Sequence, residues 1–169
     1  MVEIEKLELK EWYSCLKPYQ SKIIKELVYK YGEEKAAEMW LNKYASKPRR
    51  VLGSDESNGK MGFVRSYRLV DKNVYDLKEF NKSDVTDYWS KLKKQLNMFI
   101  CGHPDYEQER EQLLKIGSPI GLGGVTFLAN LISPVIGLAT EILIPAIALF
   151  LHTTAKIGVK AYCDGISFD

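Results

Sequence analysis

The chain has little of what usually marks a secreted, catalytic or nucleic-acid-binding protein. Cysteine occurs three times, at Cys15, Cys101 and Cys163. The odd number, the wide spacing and the missing CxxC argue against a disulfide framework, and a reducing cytosol is the default compartment. Histidine occurs twice, at His103 and His152. Neither stands beside a Ser or Cys with an orienting group, so the pattern of nucleophilic catalysis is missing. An excess of one charge is also missing: 24 Lys+Arg face 22 Asp+Glu, too even a balance to call for a polyanionic partner. The opening stretch MVEIEKLELKEW mixes charges with apolar residues. It has no continuous apolar region, so it is not expected to act as a secretory signal.

What the chain does have is apolar residues, 46% of the total, enough to exclude global disorder and to fill a core at this length. Charge is unevenly spread. From Ser118 onward the formal charges are Glu141, Lys156, Lys160, Asp164 and Asp169, whereas everything before is charge-rich. Two parts are expected: a charged helical part over 1–117 and an apolar helical hairpin over 118–169, packed together as one domain.

In the first part, Leu7, Leu9, Trp12, Cys15 and Leu16 fall near one helical face. Pro18 suits the first turn of a new helix carrying Ile23, Ile24, Leu27, Val28 and Tyr31 at helical spacing, which Gly32 ends or bends. Good helix formers follow, with Ala36, Met39, Trp40 and Tyr44 on one side. The turn-rich SKPRRVLGSDESNGK breaks the pattern, and KMGFVRSYRLV alternates like a strand, with NVYDLKEF as its partner. The expectation is a small β-hairpin insertion at about 60–80. Val85, Tyr88, Trp89, Leu92, Leu96, Phe99 and Ile100 then recur at three and four, an amphipathic helix with Asn81 or Ser83 as its N-cap. Gly102 ends it, and His103-Pro104-Asp105 opens another helix that runs to Gly117.

The second part repeats a short phrase: SPIGL at Ser118 and SPVIGL at Ser133. Ser as N-cap and Pro as first residue predict two apolar helices, roughly Pro119–Ile132 and Pro134–Cys163. Val135–Ala155 has the ~20 residues a bilayer span needs, although Glu141 within it would cost on the order of 3 kcal/mol. The alternative is the buried spine of a helical domain. Glu141, Ala148, His152 and Lys156 form a stripe along one side, which suits a helix facing polar groups of the first part. Pro145 frees the carbonyl of Glu141, which needs another partner, and Asn130 and Thr126 on the preceding helix are candidates to supply it.

Four patterns touch on chemistry. GSPIGLGGV resembles a dinucleotide loop, but no strand precedes it, so its glycines are read as close-approach points, Gly117 and Gly121 above all. Cys101, His103 and Cys163 lack metal-ligand spacing, so the two cysteines are read as small buried hydrophobes and His103 as a helix cap. The acids Asp105, Glu107, Glu109 and Glu111 lie on one helix and read as a solvated face. Lys47, Arg49, Arg50, Lys60, Arg65 and Arg68 interleave with Tyr67 in a basic patch that would suit phosphate.

The fold expected is therefore mainly α: a helical bundle with a small β-hairpin insertion and a C-terminal apolar helical hairpin. No cofactor and no metal are expected. The function expected is that of a non-enzymatic, cytoplasmic interaction protein, an accessory subunit that binds a protein partner or a second copy of itself. Bacterial defence or toxin biology is one setting that no motif marks. The alternative is a membrane-active effector, inner-membrane associated, that inserts the 119–155 hairpin, with colicin-like pore domains as an architectural analogy without residue matches. A third expectation is nucleic-acid binding through the Arg-rich strand.

Overall fold

The computed structural model describes residues 2–45, 88–116 and 119–168. Among these residues the protein is mainly helical, and the one β contact is an isolated parallel bridge between Ile4 and Ile120. The expected hairpin at about 60–80 lies outside the described residues, as do Val85 and the N-cap candidates Asn81 and Ser83.

The first elements follow the proline and glycine punctuation. A short helix α1, Leu9–Trp12, passes into a 3-10 turn that ends at Cys15. Helix α2, Pro18–Tyr31, starts with Pro at its first position, where a missing N–H costs nothing, and stops at Gly32. Helix α3, Glu33–Ala45, follows at once, with Glu33 and Glu34 in its first turn. Helix α4, Tyr88–Ile100, buries Trp89, Leu92, Leu96, Phe99 and Ile100, the stripe its three-and-four spacing dictates. His103 then accepts a hydrogen bond from the Asp105 amide through Nδ1, capping a 3-10 turn that leads into α5, Glu107–Ile116. Glu107 and Glu111 are exposed, while Arg110 reaches back to the carbonyls of Met98 and Phe99 at the end of α4.

Helix α6, Leu122–Ile136, and helix α7, Thr140–Ile157, form the apolar hairpin, but not at the boundaries the Ser-Pro phrases suggest. Ile120 is tied up in the bridge to the N-terminal segment, exchanging backbone hydrogen bonds with Glu3 and Glu5. Helix α6 therefore begins only after Gly121, where an added Cβ would run into the Glu5 carboxylate. Gly121 is thus a close-approach point for an extended segment rather than for a second helix, and Gly117 lies outside the described residues. Pro134 does not open the second helix; it sits in the last turns of α6. The turn comes at Gly137, which adopts a left-handed conformation (φ 81°, ψ 27°) and donates its N–H to the Ser133 carbonyl. Ser133 serves this C-terminal turn, its hydroxyl donating to the Leu138 carbonyl, and is not an N-cap. Glycine three residues past a proline stops the helix here more strongly than Ser-Pro starts one.

Helix α7 is the spine. From Pro145 to His152 every residue is buried, so two full turns have no solvent face. It packs most extensively on α3 and next on α6, with further contacts to α1 and α2. The two expected parts therefore share one core, in which Trp12, Trp40, Leu41, Leu96, Phe99, Leu128 and Leu143 are all buried. Each such side chain contributes about 1.5–3 kcal/mol by leaving water.

A five-residue helix α8, Val159–Cys163, follows the bend at Gly158. Here the structure corrects the reading of the cysteines. Cys101, at the end of α4, and Cys163, at the end of α8, are joined by a disulfide across 62 residues of sequence. Neither is fully buried, so they are not small core hydrophobes. Only a fold that returns the end of the chain to the end of α4 brings them together, and sequence spacing does not encode that return. Cys15 is a free thiol whose Sγ donates to the Trp12 carbonyl. Burial pushes its pKa up to about 11, outweighing its local backbone hydrogen bond, so it is poorly nucleophilic.

Candidate functional site: a carboxylate clasp beside a charged groove

The α2–α3 junction is the polar centre of the described molecule. Gly32 ends α2, and its carbonyl accepts from the Ala36 amide to start α3. This places Glu33 at the first position of α3, facing α7. Three α7 residues converge on it. His152 approaches Glu33 Oε2 through Nδ1 at 2.7 Å, Thr153 Oγ1 donates to the same oxygen at 2.7 Å, and Lys156 Nζ reaches Oε1 at 3.5 Å. A carboxylate only accepts, so the His152 Nδ1 carries the proton. Glu33 is largely enclosed, its side chain 16% exposed. Burial acts to raise its pKa. The hydrogen bonds from His152 and Thr153 and the electrostatic pull of His152 and Lys156 together outweigh burial, and the carboxyl is held below its ordinary value. Its charge also reaches Tyr13, whose pKa is pushed up to about 12, mainly by burial and secondarily by Glu33.

The other end of the stripe is held separately. Glu141 is exposed and pairs with Lys17 at the start of α2. Its backbone carbonyl, left open by Pro145, accepts a hydrogen bond from Gln20 Nε2 at 2.9 Å. The same Gln20 accepts from the Lys17 amide through Oε1 at 3.0 Å, and it is 2% exposed. One residue on, the Ile142 carbonyl accepts from the Trp40 indole at 2.8 Å. The carbonyl that Pro145 leaves open, and the next one along, are therefore satisfied from α2 and α3. The expected partners Asn130 and Thr126 do not serve, because both point to solvent on α6. Ala148, between the two polar ends, is buried at 2% exposure and packs as an apolar residue.

On the outer side of Glu33 lies an open groove of about 1080 Å³. One wall is the α2–α3 turn and the start of α3, with Glu34 and Glu38. The other is α4, with Lys93, Lys94 and the edge of Trp89. Residues Ile166–Phe168 and His103 close one end. Lys93 pairs with Glu34 at 2.6 Å and lies 5.7 Å from the Trp89 ring centre, a bracing contact between the walls. The groove thus offers charges of both signs beside aromatic and thioether surface. The Glu33–His152 pair faces the core side of this wall, where His152 is 7% exposed. Its geometry serves attachment of α7. Among the described residues no group of three or more His, Cys, Asp or Glu side chains gathers as a metal site.

Of the residues singled out from the sequence, Glu141, His152 and Lys156 lie on α7 as described. Lys47, Arg49, Arg50, Lys60, Arg65, Tyr67 and Arg68 lie outside the described residues. The residues that sequence reasoning passed over are Gln20 and Glu33, partners of the stripe; Trp40 was placed on the apolar face of α3 without its bond to the Ile142 carbonyl, and the cysteines were named without their pairing. Glu33 had one local signal, an acid at the first helical position after a glycine. Its partner is 119 residues away, and no local spacing reports a contact at that range. Comparison of the chain with family models, curated proteins and solved structures gives no match.

Proposed function

We propose that the protein is a non-enzymatic helical interaction module, an accessory subunit whose groove between α3 and α4 receives a segment of a partner protein. The observation that carries this reading is the groove itself: about 1080 Å³, open, and lined by charges of both signs beside Trp89, Met98 and Phe168. Specific protein interfaces combine an aromatic or thioether anchor with a polar rim in this way. Helix α7 is the rigid support, since Glu33 on the groove wall is tied to it by three side chains.

The reading is tested by installing a photo-crosslinker at Lys94, identifying the captured protein, and titrating that purified protein against the full chain. Lys94→Glu weakens the Kd by about tenfold or more, whereas Thr126→Lys, exposed on α6 and away from the groove, leaves it unchanged. Equal affinity in both variants rejects the groove as the interface.

A second reading has one specific observation in its favour. Helix α7 spans 18 residues with a mean hydropathy of 1.3, long and apolar enough to cross a bilayer, although 61% of that stretch is buried in the protein. In this reading the α6–α7 hairpin of a membrane-active effector leaves its shelter when the Glu33 clasp opens. Leakage from anionic vesicles that is enhanced by Glu33→Ala and by His152→Ala would favour it; vesicles that stay sealed with both variants would reject it.

A further inference from the structure

The Cys101–Cys163 disulfide is placed as a latch rather than as a staple of the core. It does not join two core elements. It ties the turn after α4 to α8, a five-residue helix in which no residue is buried. Beyond Cys163 the chain runs along the end of the groove. There Ile166, Ser167 and Phe168 form part of the lining, and Phe168 sits edge-on to the His103 ring with centroids 5.2 Å apart. The other holds on this segment include the Tyr162 hydroxyl donating to Asn97 on α4 at 2.8 Å, and the Tyr162 ring against Phe150. From Asp164 to Phe168 the chain is exposed or half-exposed throughout. Segments with so little buried apolar surface open at far lower free energy than core helices.

We infer that this disulfide is a redox latch, and that its reduction releases residues 158–168 from α4 and uncovers the end of the groove while the helical core stays folded. The reductant is a dithiol. Its thiolate attacks one of the two sulfurs, breaking the Cys101–Cys163 bond and forming a mixed disulfide. Its second thiol then displaces the protein sulfur. The two cysteines gain two electrons and two protons, and the dithiol departs as a cyclic disulfide. Both cysteines are partly rather than fully buried, at the edge of the core, which leaves an approach for the attacking thiolate. Cys15 does not compete, being held in its own turn with its pKa raised. The inference stands whatever occupies the groove, because release is read on the isolated chain.

The test is hydrogen exchange by mass spectrometry on the full chain, with and without dithiothreitol, preceded by alkylation of the denatured chain to count free thiols. One free thiol is expected before reduction and three after. Reduction is expected to speed exchange in 158–168 by about tenfold or more, with α3, α4 and α7 unchanged. The double variant Cys101→Ser, Cys163→Ser is expected to exchange like the reduced chain in either condition. Three free thiols before reduction, unchanged exchange in 158–168, or exchange that rises throughout α3, α4 and α7 would each overturn the latch.

Discussion

A buried glutamine, Gln20, and a largely enclosed glutamate, Glu33, hold the spine helix to the rest of the protein. Gln20 satisfies the Glu141 carbonyl that Pro145 strands, and it also receives the Lys17 amide. Gln20→Leu removes both hydrogen bonds from a buried position. The expected loss is about 1–3 kcal/mol in urea unfolding, whereas the exposed Gln112 changed to Leu shifts stability by less than about 0.5 kcal/mol. Glu33 makes a pH-dependent contribution. Its carboxyl is held below the ordinary value, so its stabilisation is complete above the ordinary carboxylate range and is lost as pH falls through the lowered folded value. Glu33→Gln should therefore lower stability at pH 7 by about 1–2 kcal/mol and flatten the acid limb of a stability-versus-pH curve. An acid limb as steep as in the parent would contradict that assignment. The need of the Glu141 carbonyl was legible in the sequence, because a mid-helix proline always opens the acceptor four residues back. The supplier was not, because Gln20 lies 121 residues away and glutamine carries no positional signature.

At the scale of elements, most helices announce themselves by spacing and punctuation: α2 by Pro18 and Gly32, and α4 by its three-and-four stripe. The α6–α7 turn does not, since two signals compete within four residues. Ser133-Pro134 reads as a helix start, but Gly137 supplies the left-handed residue that a helix end needs, and the end wins. Gly137→Ala forces a Cβ into that conformation and should cost about 1–2 kcal/mol, measured by thermal or urea unfolding. Pro134→Ala has no such penalty, because a helical turn already runs through that position. Full stability in Gly137→Ala would place the turn elsewhere. The disulfide belongs to this scale as well. The cysteine spacing that argued against a framework was a sound statement about local motifs. It carried no information on a pairing made by α8 folding back over the end of α4.

For the whole molecule, the uneven charge along the chain has a simple meaning. The charged helices α2, α3 and α4 and the charge-poor α6 and α7 contribute to the same core. They are the shell and spine of one core, with α7 enclosed on every side over two turns. A composition step near residue 117 is what a chain produces when its most central helix, α7, comes late in the sequence. This is why hydropathy alone cannot distinguish α7 from a membrane span: burial by protein and burial by lipid ask for the same side chains. The distinguishing residues are the polar ones, His152, Thr153 and Lys156, each of which meets Glu33. These contacts, with the burial of its middle turns, give α7 its shelter within the protein. Flotation of the purified full chain with anionic vesicles, at pH 7 and without detergent, tests it most directly. The expected result is a monodisperse protein that stays in the aqueous fraction; a chain that floats with the vesicles, or that needs detergent to remain in solution, would show that α7 is not so sheltered.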